Sequence, residues 1–261
     1  MGTELIARGL IVADESADSW SLKRPTEVQA VHAAYVAAGS DVLLTNTFGL
    51  ATPRVADKAV VAAASVELAR AAGGRRIWGS LGPGGSPTDV AHAAELLLKA
   101  GAEAICLETF FDPAELAGAL DAATALGAPV IASVTVSPGD AGLQTPTGTP
   151  LDRMVRVLHK AAVPPVAVGL NCSLDAERMG AAVSTLASLT ELPILAKPQA
   201  KQTAKCLAPR NPETTSWFAR HAIDLSRRGA TAIGGCCGIG PMAIAALRQE
   251  VDVAWPERAA S

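Results

Sequence analysis

Aromatic side chains, basic runs and long apolar stretches are all scarce in this sequence. Aromatic residues make up 3% of the 261 positions while hydrophobic residues make up 49%, so small aliphatic side chains must fill the core. There are 22 basic and 25 acidic residues and no basic run, which argues against nucleic acid as a partner. No apolar run reaches the roughly 18–20 residues that cross a bilayer, and the start lacks the pattern of an export signal. We therefore expect a soluble, cytoplasmic protein that does not contact the membrane.

The cysteines are poorly suited to a disulfide framework. There are five, an odd number, and two of them, Cys236 and Cys237, are adjacent. A reducing compartment, in which the thiols stay free for metal binding or catalysis, fits this count better.

The chain shows no internal division and a regular alternation of two patterns. No segment rich in proline, serine or charge separates two parts, so we expect a single domain over residues 1–261. Short β-rich runs alternate with longer Ala/Leu-rich segments whose apolar positions recur at helical spacing. The predicted strands are Val42–Thr45, Ile77–Leu81, Ala104–Leu107, Val130–Val136, Val166–Leu170, Ile194–Ala196 and Ala230–Gly234. The predicted helices lie near 26–38, 54–72, 88–100, 113–126, 151–162, 175–189, 213–228 and 240–250.

Repeated βα units predict an α/β fold with a parallel sheet, and their number favours a TIM-like (β/α)8 barrel. A doubly wound open sheet is the alternative, but its glycine-rich dinucleotide fingerprint is missing after the first strand. The first helix has no clear strand before it, because the next apolar run after Met1–Leu5 is Leu10–Ala13. The first strand of the barrel is therefore missing or irregular, and we expect an incompletely closed sheet beside the strand that ends at Gly234.

The carboxyl ends of parallel strands are where a barrel gathers its functional groups. Residues that fall there include Asn46, Ser80, Glu108, Asn171, Cys172, Lys197, Gln199, Cys236 and Cys237. All four histidines, His32, His92, His159 and His221, fall within predicted helices instead, which disfavours a histidine base or ligand.

The segment Gly234-Gly235-Cys236-Cys237-Gly238 is the strongest chemical signal in the sequence. Adjacent side chains of a regular strand point to opposite faces, but the flanking glycines let the backbone leave β geometry. Both sulfurs can then turn toward the barrel mouth, where Cys172 arrives from another strand. Three soft thiolates suit a tetrahedral zinc ion with one open position. Buried apolar cysteines and a disulfide between Cys236 and Cys237 are the alternatives.

Glu108 closes the apolar run Ala104–Leu107, on the same side of the strand as Cys106. A carboxylate at this place can hold the ammonium group of a ligand or act as a base. The alternative interpretation is an exposed loop carboxylate at the start of the next turn.

Six motifs together resemble the zinc-dependent homocysteine S-methyltransferase family. This family includes betaine- and S-methylmethionine-homocysteine methyltransferases and the homocysteine-binding domain of methionine synthase. The motifs are Met1-Gly2-Thr3-Glu4-Leu5, Thr45-Asn46-Thr47-Phe48-Gly49, Ser80-Leu81-Gly82-Pro83, Leu107-Glu108-Thr109, Gly169-Leu170-Asn171-Cys172 and Gly234-Gly235-Cys236-Cys237-Gly238. The resemblance implies that Cys172, Cys236 and Cys237 bind Zn²⁺, and that Glu108 holds the amino group of homocysteine. Asn46 is a further candidate substrate-binding residue.

The activity implied by the resemblance is methyl transfer to the zinc-bound thiolate of homocysteine, which gives methionine. The thiol loses its proton at the metal near neutral pH and then attacks the methyl carbon of the donor. The expected donor is a sulfonium such as S-methylmethionine. A betaine site needs aromatic rings around the quaternary ammonium, whereas here Thr109 follows Glu108 and the only tyrosine, Tyr35, lies in a predicted helix. Two alternatives are a homocysteine-activating module that works with a separate corrinoid or folate partner, and a non-catalytic zinc- or thiol-binding relic.

Two departures from the family pattern bear on these expectations. The family has a strand and an Asp-Gly pair before the Met-Gly-Thr-Glu-Leu motif, whereas this sequence begins at Met1. We expect either a start that lies upstream, a barrel closed by Leu10–Ala13, or a diverged relative. The family's Pro-Asn-Ala-Gly is here Pro198-Gln199-Ala200-Lys201, so Gln199 becomes the candidate fourth zinc ligand in the absence of substrate.

Overall fold

Seven parallel strands form the central sheet of the protein, for which a computed structural model describes residues 1–9, 16–140, 142–201 and 212–258. The order across the sheet is β1-β2-β3-β4-β7-β8-β9, and β5 pairs with β6 in a separate antiparallel hairpin. The strands are β1 Val42–Leu44, β2 Arg76–Leu81, β3 Ala104–Phe110, β4 Val130–Val134, β5 Ser137–Gly139, β6 Gly142–Gln144, β7 Ala167–Asp175, β8 Ile194–Gln199 and β9 Ala230–Ile233.

Helices follow the strands and cover the outside of the sheet. They are α1 Gly2–Ala7, α2 Trp20–Lys23, α3 Pro25–Ala37, α4 Lys58–Ala71, α5 Pro87–Lys99, α6 Pro113–Thr124, α7 Leu151–Lys160, α8 Ala176–Ala187, α9 Pro212–Arg227 and α10 Pro241–Ala254, with short 3₁₀ turns at Ala17–Ser19 and Pro256–Arg258. Several starts are fixed by local sequence. Ser86 and Asp89 form a capping box on α5, and Asp112 and Asp175 cap α6 and α8. A cap of this kind contributes about 1 kcal/mol.

The described helices close into a ring, whereas the described strands do not. Each helix from α3 to α10 contacts the next, and α10 returns to contact α3. The Tyr35 hydroxyl on α3 donates a 2.7 Å hydrogen bond to the Ile239 carbonyl just before α10, and Arg248 on α10 pairs with Asp41 at 3.2 Å. Among the described residues, eight helices (α3 to α10) therefore surround seven strands, and one strand position lies between β9 and β1.

This arrangement confirms the predicted fold class and its irregular first strand. Within the described ranges β1 and β9 are the two edges of a parallel half-barrel, with no ladder between them. The run Leu10–Ala13 lies outside the described residues, whereas Gly2–Ala7, which contains most of the Met-Gly-Thr-Glu-Leu motif, forms α1. All seven predicted strands occur, although β3, β7 and β8 run several residues further than predicted. The strand predicted to reach Val136 ends at Val134, before the hairpin that the pattern did not predict.

Two layers of side chains fill the inside of the sheet. Ala104 and Cys106 of β3, Ile131 of β4 and Leu195 of β8 form an apolar inner layer, with Leu44, Trp78 and Ala167 packed against it. Because strand side chains alternate between faces, the next inward residues toward the carboxyl ends include Ser80, Glu108, Ser133, Asn171 and Lys197. The site therefore lies on a polar layer directly above an apolar one. None of the helices in the described ranges has the length and apolarity that a membrane span requires.

Candidate metal and substrate site

The backbone departs from β geometry at the positions of the three predicted cysteine ligands. Cys172 and Ser173 have φ angles of 61° and 54°, in the left-handed region that is uncommon for residues other than glycine. The ladder between β7 and β8 shifts register there, between Asn171 and Asp175. On the other side β9 ends at Ile233, and Gly238 has a φ of 78°. Both irregularities turn sulfur atoms toward the same point at the mouth of the sheet.

Gly235 has no room for a side chain. A Cβ at this position would lie 2.3 Å from Cγ2 of Ile239, which is closer than side-chain atoms approach in folded proteins. At Gly234 the nearest atom to a Cβ would be Cγ of Lys197 at 3.5 Å, an ordinary contact. The second glycine of the predicted Gly-Gly-Cys-Cys-Gly segment is therefore the one that packing requires.

The sulfurs of Cys172, Cys236 and Cys237 converge at the carboxyl ends of β7 and β9. All three lie within 4.8 Å of one another, and those of Cys172 and Cys237 are 3.7 Å apart. Backbone hydrogen bonds hold the Cys-Cys segment against β8: the amide of Cys236 donates to the carbonyl of Pro198, and the amide of Ala200 to that of Cys237, both at 2.8 Å. We call these three thiols the thiol rim.

The thiol rim is a donor set that could hold a metal ion. Hydrogen bonds from Cys236 and Cys237 lower the pKa of the Cys172 thiol to about 3, because they stabilise its thiolate. The hydrogen bond with Cys172, followed by that with Cys236, raises the pKa of Cys237. All four described cysteines are free, so the alternative of a disulfide between Cys236 and Cys237 is wrong for this structure. Soft sulfur ligands in a tetrahedral arrangement suit zinc or a similar metal.

Gln199 lies beside the thiol rim. Its Oε1 is 3.6 Å from the sulfur of Cys172, on the last residue of β8. The Asn46 amide makes other contacts: its Nδ2 donates to the carbonyl of Ala17 at 2.6 Å and to the hydroxyl of Ser21 at 3.3 Å. The structure thus brings Gln199 to the three cysteines, while the Asn46 amide ties the 3₁₀ turn and α2 to the end of β1.

Asn171 connects two strand ends to the rim, a role that the sequence did not reveal. Its Oδ1 accepts from the backbone amide of Thr109 at 2.9 Å and from the hydroxyl of Ser133 at 2.7 Å. Its Nδ2 donates to Oγ1 of Thr109 at 2.7 Å and lies 3.8 Å from the sulfur of Cys236. Thr109 itself has a φ of 68°, so Asn171 holds a strained turn next to Glu108. The sequence signals for Asn171 were its strand-end position and its place before Cys172 in the family motif, neither of which revealed its partners.

Glu108 lies in a buried cluster one layer below the rim. Its carboxylate forms an ion pair with Lys197 of β8 and accepts a hydrogen bond from the hydroxyl of Ser80 on β2. Burial opposes the charge on Lys197, but the carboxylate of Glu108, together with Cys106 and Cys236, more than offsets this effect and raises the pKa of the ammonium. The alternative interpretation of Glu108 as an exposed loop carboxylate is wrong, because the residue is 9% exposed. We call Ser80, Glu108 and Lys197 the polar floor.

The histidines take no part in the site. His32, His92, His159 and His221 lie on α3, α5, α7 and α9, as predicted from their helical pattern. Within the part of the chain that the structure describes, the group of side chains that could hold a metal contains Cys172, Cys236 and Cys237 and no histidine.

Together, the fold and the site define the class of protein. It is a relative of the parallel α/β barrels that carries a centre of three thiols at the carboxyl ends of its strands. The crystal structure of the metallated form of the homocysteine methyltransferase MmuM from Escherichia coli is similar to the structure of this chain. The TM-score is 0.75, and the identity is 27% over 96% of this chain and 93% of that one. The apo form of MmuM gives a TM-score of 0.74 and 28% identity, over 95% of this chain and 92% of that one.

Sequence comparison narrows the class to one family. The family model described as homocysteine S-methyltransferase matches residues 1–251. A homocysteine S-methyltransferase from Escherichia coli strain K12 is 30% identical over 95% of this chain and 92% of its own length. The chain belongs to the homocysteine S-methyltransferase family, which confirms the resemblance found in the motifs. It is an enzyme of the methyltransferase class.

Proposed function

We propose that the protein transfers a methyl group from a sulfonium donor such as S-methylmethionine to the thiol of homocysteine, and that it uses zinc to do so. The observation that carries this proposal is the convergence of the three rim sulfurs within 4.8 Å at the carboxyl ends of the strands. The whole of residues 1–261 acts as one domain in this proposal. Free thiols at the site fit a reducing compartment, so we place the protein in the cytoplasm.

The chemistry of the rim fits zinc. Three cysteine sulfurs on one side leave a fourth tetrahedral position, which the Gln199 amide oxygen can fill before substrate binds. When bound, Zn²⁺ lowers the pKa of a thiol that enters this position, so that the thiol becomes a nucleophile near neutral pH.

The side chains around the rim orient the acceptor. Asn171 holds the Cys236 sulfur and the Thr109 turn in fixed positions, as outer partners of metal ligands do. Glu108 lies one layer deeper, where its carboxylate can accept hydrogen bonds from the ammonium group of homocysteine. The acceptor is thus held at its sulfur and at its amino group, which fixes the sulfur for in-line attack.

The reaction balances without a further co-reactant. The sulfur of homocysteine forms a bond to the methyl carbon while the bond between that carbon and the donor sulfonium breaks. The bonding electrons stay with the donor sulfur, which leaves as a neutral thioether, and the thiol proton passes to solvent. A sulfonium is favoured over betaine because a betaine site needs aromatic rings around the quaternary ammonium, whereas Thr109 follows Glu108 and the one tyrosine, Tyr35, lies on α3.

A donor panel tests the proposal. Zinc-loaded protein is incubated with homocysteine and either S-methylmethionine, S-adenosylmethionine, betaine or methylcobalamin, and methionine is measured. We expect methionine with the sulfonium donors, and none with Cys172→Ala. Turnover with methylcobalamin alone would instead support the module that works with a corrinoid partner. Zinc binding without any methyl transfer would support the non-catalytic relic.

A further inference from the structure

The polar floor contains a buried positive charge as well as a buried negative one. Lys197 is 5% exposed and Glu108 is 9% exposed, and each belongs to an inward-facing position of its strand. A buried ion pair contributes little net stability, because the desolvation of both charges offsets their attraction. The placement of this pair under the rim therefore calls for a role other than holding the fold together.

The position of Lys197 relative to the rim is fixed by β8. Lys197 precedes Gln199 by two residues, so both side chains are on the same face of the strand and lie about 6.6 Å apart along it. Gln199 reaches the Cys172 sulfur, and Lys197 lies against Gly234 at the start of the Cys-Cys segment. From standard bond lengths, the sulfur of homocysteine is roughly 5 Å from its amino and carboxylate groups. This length is similar to the spacing between Gln199 and Lys197, so the charged end of a thiol held at the rim can reach the floor.

The hydrogen-bonding capacity of Lys197 is only partly used. Its ammonium has three N–H donors, and among the described residues Glu108 is the one acceptor recorded for it. A buried ammonium gains by further acceptors, and a carboxylate is the strongest that a small ligand can offer. The two charges of the floor are opposite in sign and adjacent, as are the two charges of an amino acid.

We infer that Lys197 binds the α-carboxylate of the acceptor amino acid, so that Lys197 and Glu108 together select a zwitterionic thiol. The inference rests on the proposed function, because it requires a thiol held at the rim. Lys197 is then a specificity-determining residue. Thiols that lack the carboxylate leave its remaining donors without an acceptor in a buried place, which costs affinity.

The test measures binding of thiols to zinc-loaded protein by titration calorimetry, with no methyl donor present. Homocysteine is compared with aminopropanethiol, which has the same sulfur and ammonium but no carboxylate. We expect the wild-type protein to prefer homocysteine by roughly 10–100-fold, the range for hydrogen bonds to charged groups. In Lys197→Met the ratio of the two affinities should fall to near one. Any effect of the variant on Glu108 cancels in the ratio, because both thiols carry the ammonium.

Three further variants complete the design. Lys197→Arg keeps the charge and should keep most of the preference. If Lys197→Met does not fold, Lys197→Gln serves instead, because its amide can donate to Glu108 without a charge. Lys201→Met is the matched control: Lys201 is exposed, pairs with Glu177 at 3.6 Å and lies 4.6 Å from the centre of the Trp217 ring, so its loss should leave the preference unchanged.

The outcomes separate this inference from the proposed function. If Lys197→Met weakens the binding of homocysteine and of aminopropanethiol by the same factor, Lys197 is structural and the inference is wrong, while the proposed function of the wild-type protein is not contradicted. A Lys197-dependent preference in a protein that transfers no methyl group supports the inference and contradicts the proposed reaction. A wild-type protein that binds neither thiol contradicts both.

Discussion

The thiol rim and the polar floor are neighbouring parts of one site that are built in opposite ways. The rim needs irregular backbone: left-handed residues at Cys172 and Ser173, and a glycine at 235 that no other residue can replace without a clash. The floor needs regular strands, since Ser80, Glu108 and Lys197 meet because each takes an inward position of β2, β3 and β8. Three sulfurs can converge on one ion only where the backbone departs from the regular alternation of side chains between the two faces of a strand. A layer of complementary charges, in contrast, results from that alternation.

The largest effect should come from removing a rim sulfur. Cys172→Ala should weaken zinc binding by more than the ~10–100-fold that the loss of an outer hydrogen-bond partner costs, and methyl transfer should fall with it. Metal content after dialysis and methionine formation are the measurements. Cys106→Ala is the control, because Cys106 is fully buried in the apolar inner layer and should leave zinc content unchanged. Equal metal content in both variants would show that the rim does not bind the ion.

The rim and the inner layer should also differ in thiol reactivity. An ordinary thiol with a pKa near 8.5 is alkylated about 70-fold more slowly at pH 6 than at pH 8, because its thiolate fraction falls. Hydrogen bonds from Cys236 and Cys237 lower the pKa of Cys172 to about 3, so its alkylation rate in metal-free protein should be nearly constant over this range. Burial raises the pKa of Cys106 to about 12, and this thiol should stay unmodified in the folded protein. Peptide mass mapping distinguishes the two. A rate at Cys172 that falls like that of a free thiol contradicts the geometry of the rim.

Asn171 connects the thiol rim with the turn beside the polar floor, and its removal should weaken zinc binding. Asn171→Ala removes the contact to the Cys236 sulfur and the support of the Thr109 turn, so zinc affinity should fall by roughly 10–100-fold. Competition with a chelator measures the affinity. Thr185→Ala, at an exposed α8 position where the hydroxyl bonds only its own helix at 3.0 Å, is a suitable control. An unchanged zinc affinity in Asn171→Ala would show that Asn171 supports only the backbone and not the metal site.

Glu108 should contribute to the binding of homocysteine and not to the binding of zinc. Glu108→Gln removes the charge that the ammonium of homocysteine would contact, so KM for homocysteine should rise by roughly 10-fold while zinc content stays at the wild-type value. Steady-state kinetics and metal analysis check both parts. Loss of zinc in this variant would mean that the floor supports the rim structurally.

The last comparison concerns packing under the rim, where the expected effect is on stability and not on the metal or the acceptor. Gly235→Ala forces a Cβ to within 2.3 Å of Ile239, and overpacking of this kind costs about 1–3 kcal/mol of the free energy of unfolding. Gly234→Ala is the matched control, since its Cβ would make an ordinary contact of 3.5 Å with Lys197. Urea denaturation of the two metal-free variants gives the difference. Equal stability would show that the Cys-Cys segment adjusts freely.

The sequence predicted the parts of the site that depend on residue type and strand position. Alternation along Ala104–Leu107 correctly put Glu108 on the same side of the strand as Cys106, although an exposed position stayed open until the structure showed it buried. The glycine-flanked pair correctly indicated that the backbone leaves β geometry at Cys236 and Cys237. The partners of these residues could not be predicted, because they depend on the register between strands. Lys197 meets Glu108 across the mouth from a strand 89 positions away, and Asn171 reaches Thr109 over 62 positions.

The closure of the barrel was predictable only in outline. Counting seven strands against eight helices indicated an irregular sheet, but the ring formed by α3 and α10 depends on contacts such as that of Tyr35 with the carbonyl of Ile239, which no local pattern encodes. Asn46 illustrates the same limit, because its strand-end position was visible while its bonds to Ala17 and Ser21 were not.

The most direct test of the account is X-ray absorption spectroscopy of the zinc-loaded protein with and without homocysteine. The account predicts three sulfur ligands at about 2.3 Å and one oxygen ligand in the free protein, and four sulfur ligands once homocysteine is added. Fewer than three protein sulfurs, or a sulfur count that does not change with homocysteine, would contradict it.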